Sequence, residues 1–97
     1  MIFSFHPEAE SEFTEAINYY ESKEKDLGID FALEVYSCIK RILAHPFAWP
    51  IIEDDIRRSL VSRFPYGILY TQIGKEIVIL AVMHLNRKPD YWKERKG

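Results

Sequence analysis

The first residues after Met1, IFSF, alternate apolar and polar and stop at His6-Pro7. That pattern predicts a short strand over residues 2–5, ended by a proline that also suits the first turn of a helix. From Pro7 to about residue 24 the apolar positions Ala9, Phe13, Ala16, Ile17 and Tyr20 recur at helical spacing, with Glu8, Glu10, Glu12, Glu15 and Glu21 mostly elsewhere on the wheel. The early glutamates also favour the positive end of a helix dipole. Gly28 interrupts the period. A second helix is predicted from about residue 30 to 44 on Ala32, Val35, Tyr36, Ile39, Ile42 and Leu43, with Pro46 closing it. Helices joined by so few residues fold back as a hairpin and bury both stripes against a common surface.

Beyond Pro46 the helical period is lost. Residues 45–55 read as an extended loop, with Trp49 pinning it to the core. Strands are expected at about 57–64, 66–73 and 77–84, the last two joined by Gly74-Lys75-Glu76. Residues 77–83 form an unbroken apolar run, which suits a central strand covered on both faces. Residues 90–96 read as a short helical turn or a basic tail. The order β-α-α-β-β-β predicts one α+β domain over residues 1–97: a two-helix hairpin on one face of a mainly antiparallel sheet. Phe13, Ile17, Val35, Ile39, Ile79 and Val82 should share its core.

Composition supports a folded domain, since 47% hydrophobic and 14% aromatic residues lie well above the range of disordered chains. The single cysteine, Cys38, falls on the second helix's apolar side, so an internal disulfide is excluded and a buried, inert thiol is expected. No segment approaches the ~20 apolar residues of a membrane span, and the N-terminal residues lack the charge and apolar run of a signal peptide. A cytoplasmic location without membrane partners is the expectation. The histidines His6, His45 and His84 are scattered, and neither a metal-binding spacing nor a glycine-rich phosphate loop is present. No cofactor or metal is therefore expected.

Charge changes the picture more. The net value is only −2, but residues 1–55 carry 12 acidic and 4 basic side chains and residues 56–97 carry 3 and 9. The basic half is also rich in rings, with Arg57, Arg58, Arg63, Arg87, Lys88, Tyr91 and Trp92 on or beyond its strands. Cations and flat rings at one end of a sheet suit a phosphate backbone or an acidic protein partner. Charges on a strand can equally be a solvated face that blunts an edge.

Several local features occur together and in order: His6-Pro7 before a glutamate-rich helix, AINYYE over residues 16–21, Gly28 before Phe31, His45-Pro46 after the second helix, Ile56-Arg57-Arg58, RFPYGILY, and residues 79–84 followed by Arg87 and Tyr91-Trp92. In this the chain resembles the RelE/ParE superfamily, the toxin half of type II toxin-antitoxin pairs, across nearly its whole length. The resemblance implies a cognate antitoxin that wraps and neutralises the toxin, pairing with Arg57, Arg58 or Arg87. Contact with operator DNA would come only through that antitoxin. For the target it implies one of two branches: RelE-like members cut mRNA on the ribosome, and ParE-like members inhibit DNA gyrase without cutting nucleic acid.

Cutting RNA by transesterification needs a base for the 2'-OH, cations on the phosphorane and an acid for the leaving oxygen. The resemblance places Arg58, Arg87 and Tyr91 or Trp92 as candidates for that chemistry, and His84 joins them as the histidine near this end. The pattern of cations and rings makes Arg57, Arg58, Arg63, Arg87, Lys88 and Trp92 candidates for partner or nucleic-acid binding. An imidazole titrates near neutrality, which suits His84 to proton transfer or to a structural hydrogen bond. Two positions depart from the nuclease branch. Gly67 stands where it has arginine after the strand tyrosine, and Leu60 stands where it has a basic residue. These departures favour a ParE-like inhibitor over a nuclease, and they equally suit a degenerate protein that has lost its activity and only binds its antitoxin.

Overall fold

The computed structural model describes residues 1–88 and 90–95. Strand β1 (Ile2–Phe5) leads into helices α1 (Pro7–Lys23) and α2 (Leu27–Ala44), then β2 (Ile51–Glu53), β3 (Ile56–Leu60), β4 (Tyr66–Ile73) and β5 (Glu76–His84), and ends in a 3₁₀ turn over Lys93–Arg95. The strands form one sheet in the order β1-β5-β4-β3-β2, with β1 parallel to β5 and the other pairs antiparallel. This is the expected α+β fold with one strand more than predicted. Lys96, at the end of the expected C-terminal turn, lies outside the described residues.

His6 opens α1 by accepting the Glu8 N–H at Nδ1, and Pro7 fills the first helical position. The second helix starts earlier than its pattern suggests. Asp26, in the left-handed region at φ 69°, provides no side-chain cap; instead the Glu21 carboxylate of α1 accepts the Asp26 and Gly28 N–H groups at 2.9 and 3.0 Å. Gly28 is not a break but the contact point of the hairpin, since a Cβ there would lie 2.5 Å from the Ile17 carbonyl oxygen. Tyr36, counted on the stripe from sequence, is about half exposed, although its ring meets Phe13 edge-on.

The helices cover one face of the sheet. Ala9, Phe13 and Ala16 of α1 and Phe31, Val35, Cys38, Ile39 and Ile42 of α2 pack on Ile68, Tyr70, Ile77, Ile79 and Val82, with Ile17 at the margin. Cys38 lies within this layer, where burial raises its thiol pKa and Ser59 Oγ sits 3.2 Å from the sulfur. A second, smaller core of Ile56, Leu69, Leu80, Ala81, Met83 and Trp92 occupies the other face. Strand β5 serves both by alternation, and a β-bulge shifts its phase: Leu69 pairs with Ala81 but Tyr70 with Ile79, which leaves Leu80 unpaired and turns Leu80 and Ala81 to the same side.

Two boundaries differ from expectation for local reasons. β3 ends at Leu60, because Val61 N–H bonds to Tyr66 O across a turn in which Arg63 takes φ 72°; Arg63 therefore belongs to the turn. Within the expected loop, Ile51–Glu53 forms an edge strand joined to β3 through Asp54-Asp55, with Asp54 at φ 50°. Trp49 packs on the main core as expected. No helix among the described residues is long and apolar enough to cross a membrane.

Candidate functional site

The sheet face turned away from the helices carries the chemistry. Pairing aligns Leu60, Gly67 and Met83 in one row and Arg58, Leu69 and Ala81 in the next. Gly67 leaves a depression in this face, and the aliphatic stem of Arg58 lies across it: a Cβ on Gly67 would stand 3.2 Å from Arg58 Cδ and 3.5 Å from Leu85 Cδ2. A long side chain at position 67 would have to displace both. The resulting cleft, of about 330 Å³, is lined by Ile52, Arg58, Met83, Leu85, Arg87 and Trp92, together with Glu53 and Asp90. Those two carboxylates share Lys93, whose Nζ is 2.9 Å from Glu53 and 3.4 Å from Asp90. The bond to Glu53 raises the Lys93 pKa.

One end of the cleft is built by the C-terminal segment, which Glu12 of α1 anchors. Beyond the end of β1, the edge of β5 is open to side chains. Glu12 Oε1 accepts the Val82 N–H at 3.0 Å and Arg95 donates to the Leu80 carbonyl at 3.1 Å, so an ion pair continues the ladder where the strand stops. Arg95 also grips both Glu12 oxygens, at 2.8 and 3.1 Å. Burial works against the Arg95 charge, but the bonds to Glu12 outweigh it and hold its pKa above the ordinary value. Arg87 reaches the same carboxylate at 3.9 Å. The Tyr91 ring lies between the two arginines, 4.0 Å from the Arg87 guanidinium carbon and 5.0 Å from that of Arg95.

The candidates from sequence divide accordingly. Arg58, Arg87 and Trp92 line one cleft. Tyr91 and His84 lie outside that lining, although both adjoin Arg87. The Tyr91 hydroxyl is buried without a hydrogen bond among the described residues, and burial, reinforced by Glu12, pushes its pKa up. His84 packs edge-on against Tyr66 and accepts the Asn86 N–H at Nδ1, and it lines a second hollow together with Arg87, Glu12, Glu15 and Tyr19. Trp92 is 4% exposed, so its ring fills the second core and offers no stacking platform. Arg57 donates to the carbonyls of Phe47 and Trp49 and pins the loop before β2. Arg63 pairs with Asp30 and Glu34 of α2. Lys88 is exposed. Arg58 keeps its charge without a partner among the described residues.

Glu12 and Arg95 were not singled out from sequence. Glu12 did leave a signal: it falls three residues after Ala9 and four before Ala16, on the buried stripe where an unpaired carboxylate is costly. Arg95, 83 residues away in sequence, left none.

No curated protein sequence matches the chain. Among solved structures, one described as "Chromosomal ParDE TA system from P. aeruginosa" superposes with a TM-score of 0.76, covering 89% of this chain and 97% of its own at 18% identity, a likeness that speaks for the fold. The family model "ParE toxin of type II toxin-antitoxin system, parDE" matches residues 3–89. By that match the chain belongs to the ParE toxins of type II toxin-antitoxin systems.

Proposed function

We propose that this chain is a non-nucleolytic toxin that inhibits DNA gyrase and is held inactive by a cognate antitoxin. The observation that carries this reading is the dispersal of the groups RNA cleavage needs. The Tyr91 hydroxyl is buried, Arg87 and Arg95 are drawn to Glu12, and Gly67 and Leu60 supply no charge, which leaves Arg58 as the unpartnered cation of the cleft. Stabilising a phosphorane takes several donors held together, and losing one such contact typically costs ~10²- to 10³-fold in rate. Inhibition by binding has no such requirement. Antitoxin binding is supported by α2, where Ile29, Leu33 and Tyr36 form an exposed apolar stripe at helical spacing that suits an amphipathic segment.

A second reading, an mRNA endonuclease, is favoured by two observations, the presence of Arg58 and Arg87 in the same cleft and of Arg87 and His84 in the adjoining hollow. Purified protein added to translating ribosomes separates the two. Intact mRNA is the expected result. Codon-positioned cleavage that disappears in Arg87→Ala would establish the nuclease instead.

A further inference from the structure

We propose that the cleft around Arg58 is a docking face for a protein segment that presents one carboxylate between aliphatic side chains. The proposal deepens the reading of the chain as a toxin that acts by binding, and it says which face takes the target and what chemistry that target brings.

Three observations carry it. Large aliphatic side chains that nothing covers surround Arg58 on this face: Leu60 is 56% exposed and Leu85 41%, with Ile52 at the rim. The depression at Gly67 is filled by the Arg58 stem, and the relief that seats side chains of a partner is the adjoining cleft lined by Ile52, Leu85 and Arg58. The charge balance is equally specific. Lys93 occupies both carboxylates of the lining and Glu12 draws on Arg87, so Arg58 is the cleft's unpartnered charge among the described residues. Its stem is already laid on Gly67, so little side-chain freedom remains to be lost when a carboxylate binds. The third observation weighs against a nucleic acid strand. Such a partner asks for a track of cations and for exposed rings on which bases stack, whereas among the described residues lining this cleft Arg58 is the unpartnered cation and Trp92 is buried. One cation within an aliphatic rim matches a single carboxylate on an apolar segment.

The test uses a short peptide with one glutamate between leucines, its lysine counterpart, and a single-stranded oligonucleotide, each titrated into the whole protein and followed by amide and side-chain NMR. The glutamate peptide should give saturable shifts centred on Ile52, Arg58, Leu60 and Leu85. Arg58→Glu should weaken it roughly tenfold and make the lysine peptide the better ligand. Leu60→Asp should weaken it as well, and the exposed-turn control Lys75→Glu should leave it unchanged. Equal response to both peptides, no saturable shift, or tighter binding of the oligonucleotide at Arg58 would overturn the proposal. Gyrase supercoiling measured with the same variants keeps the two readings apart. If wild-type protein leaves gyrase unaffected while the glutamate peptide binds as expected, the target is wrong and the face stands. If gyrase is inhibited equally by wild type and by Arg58→Glu, the face is wrong and the target stands.

Discussion

Gly28 marks the closest approach of the two helices, and its role there is steric. A methyl group at this position would run into the Ile17 carbonyl, which is backbone and cannot swing away. Gly28→Ala should therefore destabilise the fold by about 1–3 kcal/mol through forced separation of α1 and α2. In a domain of this size each kcal/mol lowers Tm by roughly 4–8 °C, so thermal denaturation measures it directly. Glu12 poses the opposite problem. Removing it takes the two-oxygen partner from Arg95, 8% exposed at its side chain and left with the exposed Glu8 at 3.4 Å, and leaves the Val82 N–H without its acceptor. Glu12→Ala should cost roughly 3 kcal/mol, and a double-mutant cycle with Arg95→Ala should recover part of that loss, because the second change removes a charge that has lost its main partner. For Tyr91 the expectation is a gain. Its buried hydroxyl has no hydrogen bond among the described residues, so Tyr91→Phe should be neutral or stabilising at neutral pH. A tyrosine whose pKa is raised on folding contributes stability that is present below its unfolded value, about 10, and lost as pH rises through that range. Denaturant titrations at increasing pH should then show a shallower alkaline loss for Tyr91→Phe than for wild type. Tyr66 and Tyr70, raised mainly by burial, keep the remainder.

At the scale of elements, the C-terminal segment behaves as a strap over the second face. Trp92 fills the small core there, Lys93 ties it to Glu53 of β2, and Arg95 ties it to α1. Trp92→Ala should cost about 3 kcal/mol, and hydrogen exchange should rise first at Leu80–Val82, where the strap covers the open edge of β5. The elements themselves were largely legible. Helix α1 follows its periodicity, because a buried stripe is written in adjacent residues, and strand β4 keeps its expected bounds as a strand buried on both faces over residues 67–71. The early start of α2 was not legible, since the glycine read as a break is a packing contact with a segment of α1. The overrun of β3 has a similar cause: Val61 to Phe64 look no less strand-like than their neighbours until Val61 pairs with Tyr66. Two aspartates between Ile52 and Ile56 were the available sign of the β2–β3 hairpin. The bulge at Leu80 was hidden because the strand is apolar on both sides, so no change of phase shows in its sequence. Of the site, Arg58 and Arg87 were found from sequence, whereas the partners that hold Arg87 and the strap were joined only by the fold.

For the whole molecule, the split of charge in the sequence becomes a split between layers. Helices α1 and α2 with the turn between them carry 9 of the 15 acidic side chains on one face of the sheet, while Arg58 belongs to the other. Two unlike surfaces follow, an apolar stripe on α2 and a cleft around Arg58, and they suit two different partners. The central claim is that the cleft binds a protein target and cuts nothing. The measurement that tests it most directly is DNA supercoiling by purified gyrase in the presence of this protein. Dose-dependent loss of supercoiling, weakened in Arg58→Glu and unchanged in Lys75→Glu, is the predicted result. Full supercoiling at saturating protein, with mRNA cleaved on ribosomes by the same preparation, would contradict it.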